Sequence, residues 1–249
     1  MRVVAGILVL FLLLSAASIS PTGAPAASTA PATNKAVEAM KKGDFKTALG
    51  ELRPLAAKGD PNAQFLLGML YDAGNGVVQE QSLAASLYRS AAEQNHLLAQ
   101  LFLGILLYSG QGVKQDYKEA ARWFQTPADS GNDQAQFYLG AMYATGTGVK
   151  KDDSKGIHWL TQAAAQRNTR AMGMLATALF SRARDDQDLV DAYVWSHLAA
   201  EFDPVQALTS ARKLTEQYCS DEQRKRGERA ISDWKRKWSN EAKGGASDR

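Results

Sequence analysis

Residues 99–128 read AQLFLGILLYSGQGVKQDYKEAARWFQTPA, and the fold follows from the recurrence of this pattern along the chain. The same residue types return at intervals of 36 residues, which is the signature of a repeat architecture. The recurring positions are Ala63, Ala99, Ala135 and Ala171; Gly68, Gly104 and Gly140; the GxGV segments 74–77, 110–113 and 146–149; and Trp123, Trp159 and Trp195. A stack of similar repeats is therefore predicted.

Each repeat contains two predicted helices. Apolar side chains in residues 62–73 follow three- and four-residue spacings, which predicts an amphipathic helix A. The GxGV segment predicts a turn that ends helix A. Asp116 followed by Glu119 then predicts a capping box at the start of helix B. Asp152 and Asp188 occupy the same position in later repeats, so they are predicted N-caps as well.

Two features of the repeat predict how the helices pack. Glycine in the middle of helix A, as at Gly68, weakens a helix, so its recurrence indicates that a neighbouring helix passes too close for a side chain. The recurring tryptophans are interpreted as core residues. Two short antiparallel helices cannot bury their apolar faces alone, whereas a stack of such pairs can. The predicted fold is therefore all-α, a right-handed α-solenoid of antiparallel helix pairs.

The recurring pattern Ala-x3-Leu-Gly-x2-Tyr-x2-Gly-x-Gly-Val-x2-Asp-x3-Ala-x2-Trp-x4-Ala resembles the Sel1-like repeat, a relative of the tetratricopeptide repeat. The resemblance covers three full repeats, residues 62–169, and a degenerate fourth, residues 170–204. An N-terminal capping half repeat is expected at residues 35–61 and C-terminal capping helices at residues 205–238. The last residues, 239–249, are predicted to be a disordered tail.

The N-terminus predicts export. Arg2 precedes an apolar run and then small residues, which is typical of a cleaved signal peptide over residues 1–17, with cleavage as late as residue 26 as an alternative. The apolar run is too short for a membrane-spanning helix, so no membrane insertion of the mature chain is expected. Residues 18–34 are rich in Pro, Ala, Ser and Thr and are predicted to be a linker. The expected location is the periplasm or the extracellular medium.

Composition excludes several classes. The 249 residues carry a formal net charge of +3, too small to favour nucleic acid as a partner. The single cysteine, Cys219, cannot form an internal disulfide. The basic residues of the last helix are interpreted as a solvated face, with a polyanion site as the alternative. Arg182 and Arg184 replace the turn glycines in the fourth repeat and are read as the relaxed turn of a terminal repeat, with a cationic contact point as the alternative.

The sequence offers no constellation for catalysis, a cofactor or a metal. The GxGV segments lie between two helices, whereas a dinucleotide fingerprint lies between a strand and a helix. The three histidines, at positions 96, 158 and 197, occupy different places within the repeat, without ligands at metal-binding spacing. No GxSxG elbow is present, and Cys219 lacks a catalytic signature. The chain is therefore predicted not to be an enzyme and to need no cofactor.

The predicted function is binding of a partner protein, because stacked repeats create an extended concave surface. The resemblance implies an exported adaptor or scaffold, acting as a monomer, that regulates an envelope signalling or assembly complex. Two alternatives follow from the same resemblance. One is a weak β-lactamase or penicillin-binding enzyme, although the paired cysteines of that branch are absent. The other is a secreted effector that docks on host proteins.

The candidate partner-binding residues lie on helix A, which lines the concave side in related repeats. They are Gln64, Phe65, Met69, Gln100, Leu101, Ile105, Gln136 and Phe137, which are expected to be exposed. Phe65 and Phe137 are the predicted anchors, with packing of the two rings between neighbouring A helices as the alternative. Replacing Gln100 and Gln136 with arginine is expected to leave stability unchanged and to weaken partner capture.

Overall fold

The computed structural model describes residues 31–183, 185–202 and 209–244. The predicted signal peptide, residues 18–30 of the predicted linker, Arg184 and residues 245–249 of the predicted tail lie outside the described residues. All regular structure in the described residues is helical, and no strand occurs among them. The predicted all-α fold built from repeats of about 36 residues is confirmed.

The described part of the chain forms twelve helices. They are α1 Pro31–Lys41, α2 Phe45–Ala57, α3 Pro61–Ala73, α4 Gln81–Ala92, α5 Leu97–Ser109, α6 Tyr117–Asp129, α7 Asp133–Thr145, α8 Asp153–Ala165, α9 Thr169–Arg182, α10 Asp186–Phe202, α11 Thr209–Tyr218 and α12 Asp221–Gly244. The predicted A helices are α3, α5, α7 and α9, and the predicted B helices are α4, α6, α8 and α10.

Each A helix begins at a side chain that accepts a hydrogen bond from the backbone N–H three residues later. This bond satisfies one of the N–H groups that a helix start leaves without an intrahelical partner. The acceptors are Asp60, His96, Asn132 and Asn168, at 2.8, 3.1, 2.9 and 3.0 Å from their donors. A recurring cap therefore fixes where helix A begins, although its chemistry varies from repeat to repeat.

The B helices begin with the predicted aspartates in two repeats. Asp116 Oδ1 accepts from Glu119 N at 2.8 Å, and Asp152 Oδ1 accepts from Lys155 N at 3.0 Å. The reciprocal half of the predicted capping box is not formed, because the Glu119 carboxylate pairs with Arg89 and accepts from Trp123 Nε1. The Asp116 N–H donates instead to the carbonyl of Leu107.

The fourth repeat differs from the prediction. Asp188 is not the N-cap, because Asp185 Oδ1 accepts from the Asp188 N–H at 2.9 Å and α10 begins at Asp186. Asp188 lies inside the helix, where its carboxylate accepts from Arg182 at 2.6 Å. Helix α10 therefore begins three residues earlier in the repeat than α6 and α8 do, which changes the role of the aspartate from cap to ion-pair partner.

The turn between helices A and B needs both of its glycines. Gly110 and Gly112 have φ of 73° and 68°, in the left-handed region that favours glycine. A Cβ added at Gly112 would lie 2.4 Å from the backbone carbon of Gln81, at the start of the preceding B helix. The second glycine thus serves two purposes, since it shapes the turn and lets it touch the previous repeat.

The chain divides into two compact units, residues 1–130 and 131–249. In the N-terminal unit the core is built where an aromatic ring of a B helix meets the glycine of its A helix. Tyr88 and Phe124 are fully buried, and a Cβ added at Gly68 or Gly104 would lie 2.8 or 2.7 Å from these rings. The predicted close approach at the mid-helix glycine is confirmed.

The C-terminal unit closes its core with the last helix. Trp195 of α10 is 7% exposed and lies 5.2 Å from Trp234 of α12 between ring centroids, and Trp238 is 5% exposed. The prediction that the recurring tryptophans are core residues is confirmed at Trp195. It is wrong for Trp123 and Trp159, which remain partly exposed because Phe124 and Leu160, one position later, occupy the core instead.

Two predicted boundaries shift outward. Helix α1 begins at Pro31, so the last four residues of the predicted linker are helical, and Thr33 is buried. Proline is favourable at the first position of a helix such as α1, since its φ is already helical and its missing N–H would have no partner there. At the other end of the chain, helix α12 extends to Gly244, beyond the predicted end of the capping helices at Trp238.

Candidate interaction surface

The eight residues predicted to line a groove are mostly inside the protein. Six of them are buried, with exposed fractions from 2 to 9%, and the expectation of exposure is wrong for these: Gln64, Phe65, Met69, Gln100, Leu101 and Gln136. Ile105 and Phe137 are partly exposed. Helix A is covered on more sides than expected, because it packs against its own B helix and against the end of the preceding one.

The recurring glutamines are structural hydrogen-bonding groups. Gln100 Nε2 donates to the carbonyl of Ala92, the last residue of the preceding B helix, at 3.1 Å, and Gln64 Nε2 donates to Ala56 O at 3.4 Å. Each bond adds a side-chain donor to a carbonyl of the last helical turn that already accepts from a backbone N–H, of Asn95 at Ala92 and of Gly59 at Ala56. The premise of the double arginine substitution is therefore wrong, since arginine at these positions would be buried.

A second glutamine completes this network in two repeats. Gln94 Nε2 donates to Gln64 Oε1 at 2.9 Å, and Gln166 Nε2 donates to Gln136 Oε1 at 2.9 Å. The donor that should serve Gln100 would stand at position 130, which is serine. Among the described residues, Gln100 Oε1 is buried without a hydrogen-bond partner. The middle repeat thus lacks one bond that its neighbours have.

Replacing Ser130 with glutamine should supply the missing donor. The backbone at Ser130 has φ of −80° and ψ of 5°, close to −89° and 14° at Gln166, so the added side chain starts from nearly the same direction. A net gain of about 1 kcal/mol in the free energy of unfolding is expected for a satisfied buried acceptor. Urea denaturation would measure it. Ser130→Ala is the control, and equal stability of the two variants would contradict the prediction.

Phe65 is not available as an anchor because an aromatic cluster covers it. Its ring centroid lies 4.8 Å from that of His96 in a stacked arrangement, 5.6 Å from that of Phe102 and 5.8 Å from that of Tyr88. His96 is also the N-cap of α5, where its Nδ1 accepts from the backbone of Ala99. One residue therefore both starts a helix and shields a ring.

Burial of His96 makes this cap sensitive to acid. Desolvation lowers the pKa of His96 below its ordinary value, although the Asp60 carboxylate opposes the shift. The unfolded chain therefore takes up the proton first, and the free energy of unfolding should fall as pH drops below about 6.5. Protonation of Nδ1 also removes the cap acceptor and places positive charge at a helix N-terminus.

The variant His96→Asn should flatten this dependence, because asparagine caps α7 and α9 without titrating. Guanidinium denaturation at pH 7.5 and pH 5 should show a smaller loss of stability in the variant than in the unaltered chain. Other groups titrate equally in both proteins, so the difference isolates His96. Identical losses would show that the cap does not respond to pH.

Phe137 remains the only predicted anchor with part of its ring exposed. Its N-cap neighbour is Asn168 rather than a histidine, so no imidazole covers the ring. The guanidinium of Arg170 lies over it instead, 4.5 Å from the ring centroid and 5.8 Å from that of Tyr138. Tyr138 and Met174, which hold the same position in successive repeats, are also partly exposed. Arg170 is not among the residues predicted from the sequence, although the repeat position that it holds is occupied by the neutral residues Asn62, Leu98 and Gln134 in the other repeats.

The N-terminal unit has an exposed apolar strip on α5. Leu98, Phe102 and Ile105 are all partly exposed and follow a four- and three-residue spacing, which places them on one face of the helix. We call these three residues the α5 strip. A strip of this composition is suited to contact with the apolar side chains of a partner segment.

One Ser-His-Glu arrangement occurs in the C-terminal unit, and its geometry is structural. Ser196 Oγ lies 3.3 Å from His197 Nδ1, and His197 Nε2 lies 3.5 Å from the Glu216 carboxylate. Ser196 is only 4% exposed, and its hydroxyl donates to the carbonyl of Tyr193. His197 Nδ1 is 2.9 Å from the same carbonyl, so it donates there rather than accepting a proton from serine. Burial lowers the pKa of His197.

The basic face of α12 is largely neutralised. Ion pairs join Arg224 to Asp221, Arg226 to Asp186, Arg229 to Glu222, Lys235 to Glu201 and Arg236 to Asp233. Lys237 lies over the ring of Trp234. Such pairing fits the interpretation of a solvated face better than a polyanion site. Arg182 likewise pairs with Asp188, so it does not offer a free charge in the fourth repeat.

Two further searches concern only the described residues. No helix there combines the length and the apolar character that crossing a bilayer requires. No three side chains among His, Cys, Asp and Glu are grouped there in a way that could hold a metal ion. Cys219 is buried, with Sγ 3.6 Å from the carbonyl of Leu189, and burial raises the pKa of its thiol.

Comparison with solved structures supports the fold. The chain is similar to c5321, a protective antigen of uropathogenic Escherichia coli with an SLR fold, at 32% identity and a TM-score of 0.69 over 80% of this chain. It spans 42% of the length of that protein. A Sel1 repeat protein from Oxalobacter formigenes shares 22% identity and a TM-score of 0.57, over 71% of this chain and 88% of that one.

Comparison of the sequence identifies the type of repeat. No curated protein sequence matches the chain significantly. The family model of the Sel1 repeat matches residues 61–96, 97–132 and 133–168. These boundaries agree with the helix pairs α3–α4, α5–α6 and α7–α8. Residues 61–168 are therefore three Sel1 repeats.

Proposed function

We propose that this protein is an exported adaptor that binds a segment of a partner protein on the exposed apolar face of its A helix α5. Sel1 repeat proteins generally mediate protein–protein interactions, and the fold is typically a non-catalytic interaction scaffold. Beyond that general role, we propose a location outside the cytoplasm and a binding face. The observation that carries it is the α5 strip, where three apolar side chains share one partly exposed helix face.

The exposed side of the strip has a chemistry suited to binding, although the Phe102 ring also packs against Phe65 and Tyr88. Leu98, Phe102 and Ile105 have no polar atoms to satisfy, so a partner can cover them without a desolvation penalty. Leu97, beside them, is 37% exposed and enlarges the apolar area. Burying such side chains stabilises a complex by about 25 cal/mol for each Å² of apolar surface removed from water.

Export is supported by the order of charged, apolar and small residues at the N-terminus. Expression in a bacterium, followed by fractionation and N-terminal sequencing of the recovered protein, tests it. Recovery of a shortened chain outside the cytoplasm is expected. An uncleaved cytoplasmic chain would contradict export and leave the binding proposal untouched.

The binding proposal is tested with matched pairs of substitutions. Leu98→Gln with Ile105→Gln alters the α5 strip, and Leu83→Gln with Leu87→Gln alters two partly exposed leucines on helix α4 of the same unit. Both pairs exchange apolar for polar side chains on helix surfaces, so their effects on stability should be similar. Binding of envelope proteins to the immobilised chain should weaken only with the first pair. Equal binding by the two double variants would contradict the proposal.

Catalysis is tested separately. Hydrolysis of a chromogenic β-lactam by the purified chain, abolished in a Ser196→Ala variant, would replace the adaptor proposal with an enzymatic one. The position of the Ser196 hydroxyl, buried and bound to the Tyr193 carbonyl, argues for no hydrolysis.

A further inference from the structure

The C-terminal unit carries a cationic and aromatic surface that differs from the apolar α5 strip. Phe137 and Tyr138 of α7 lie under the guanidinium of Arg170, which belongs to the next A helix, α9. Met174 follows Arg170 by one helical turn and therefore shares its face. We call these four residues the Arg170 platform.

The platform is specific to this repeat. The positions equivalent to Arg170 are held by Asn62, Leu98 and Gln134, none of which is charged. Where the first repeat covers Phe65 with the His96 ring, the third leaves Phe137 to the guanidinium. At the start of α9 the N-cap residue is Asn168, which has no ring to cover Phe137, and Arg170 covers that ring instead.

Arg170 has no acidic partner in the part of the chain that the structure describes, although its side chain is exposed. Most other arginines there are paired, as Arg89 is with Glu119 and Arg182 with Asp188. Asp133 lies at the start of α7, and its carboxylate accepts from the Asn168 amide at 2.8 Å rather than from the guanidinium. The charge of Arg170 is therefore available to a ligand.

The ring contact holds the guanidinium on one side. Its carbon lies 4.5 Å from the Phe137 centroid and the side chain is exposed, so N–H donors that do not face the ring can bind the two oxygens of a carboxylate. The rings hold the side chain in place, so less conformational entropy is lost on binding than for a mobile lysine. The exposed parts of Tyr138 and Met174 add an apolar contact beside the charge.

We propose that the Arg170 platform anchors an acidic residue of the partner segment, through its side-chain carboxylate, with a neighbouring aromatic or aliphatic residue packed on Tyr138 and Met174. This inference rests on the proposed adaptor function and names the partner chemistry that one part of the surface recognises. A polyanion such as nucleic acid fits less well, since it needs several adjacent cations and the Arg170 platform contains one.

The test begins with random 12-residue peptides displayed on phage and selected on the immobilised chain. Enriched peptides should contain Asp or Glu next to an aromatic or aliphatic residue. A synthetic peptide of the enriched sequence is then titrated by fluorescence anisotropy. Changing its acidic residue to the amide, or Arg170→Gln in the protein, should each raise Kd about tenfold, which is about 1.4 kcal/mol. Combining both changes should add little, because they remove the same interaction.

Two further variants separate charge from geometry. Arg170→Lys keeps the charge and loses the flat fork, so Kd should fall between the values of the unaltered chain and Arg170→Gln. Lys225→Gln removes an exposed cation on α12 and should leave Kd unchanged. Thermal melting of each variant checks that the fold is intact. No change is expected, because the Arg170 side chain is exposed.

The outcomes distinguish this inference from the adaptor proposal. Enriched peptides without acidic residues, or equal Kd values for Arg170→Gln and Lys225→Gln, would overturn the anchor and leave peptide binding established. Failure of every peptide and every envelope protein to bind the unaltered chain would overturn the adaptor function, and the anchor with it.

Discussion

Gly104→Leu is expected to lower the free energy of unfolding by about 3 kcal/mol or more. Overpacking a tight core usually costs about 1–3 kcal/mol, and this site lies at the upper end for a geometric reason. A Cβ alone would stand 2.7 Å from Cε1 and 2.9 Å from Cδ1 of Phe124, a ring that is fully buried. The remaining atoms of leucine would displace the ring from the core of its repeat. Urea denaturation followed by circular dichroism at 222 nm would measure the loss.

Gly50→Ala is the matched control, because Gly50 also lies inside a helix, α2, and a Cβ added there meets nothing within 4 Å. Alanine should stabilise that helix by about 0.5–1 kcal/mol. Combining Gly104→Leu with Phe124→Ala should cost less than the sum of the two single changes, since each makes room for the other. Strict additivity, or an unchanged melt for Gly104→Leu, would show that the glycine does not mark a close helix contact.

The features predicted well from the sequence are those that depend only on contacts within one repeat or at its turn. Gly104 and Gly112 recur because backbone geometry and close approach leave room for no other residue, and the structure shows both contacts. Asp116 and Asp152 recur as caps because every helix start has N–H groups to satisfy. Requirements of this kind repeat with the same period as the chain, so a period of 36 residues exposes them.

Burial was predicted less well, because it depends on neighbours outside the repeat. Gln100 has the composition of a surface residue, and nothing within its own helix pair requires an amide there. Its partner is the carbonyl of Ala92, at the end of the previous repeat. The recurrence of glutamine at positions 64, 100 and 136 was the available signal, since an exposed position has no reason to keep one residue type. The recurring glutamines are part of a hydrogen-bond network and do not line a groove.

The candidate site lies where the repeats differ in sequence. The repeat pattern alone does not show which of these differences affects binding and which affects packing. Arg170 replaces neutral residues, His96 replaces Asp or Asn caps, and Ser130 replaces a glutamine donor. Each change looks equally minor in the sequence. In the structure they separate into an exposed cation on two rings, a buried titrating cap and an unsatisfied oxygen. Only the three-dimensional neighbourhood distinguishes a candidate binding residue from a packing adjustment.

Gln100→Glu is expected to destabilise the protein by about 3 kcal/mol at pH 7, although the side chains have nearly the same shape. The position is 5% exposed, and the new carboxylate would face the Ala92 carbonyl with no donor for either oxygen. A buried charge without a partner carries its full desolvation penalty. Gln64→Glu should cost less, because Gln94 Nε2 still donates to one of its oxygens.

The stability loss of Gln100→Glu should become smaller as pH falls. Burial should raise the pKa of the new carboxyl group in the folded state, so the folded chain takes up the proton before the unfolded chain does. Stability relative to the unaltered protein should therefore recover as pH falls toward 5, where the acid O–H can donate to Ala92 O as the amide did. Gln162→Glu, on the exposed face of α8, is the control and should change stability by less than about 0.5 kcal/mol. Equal losses at positions 64 and 100, or a loss that does not change with pH, would show that the missing donor at Ser130 has no energetic consequence.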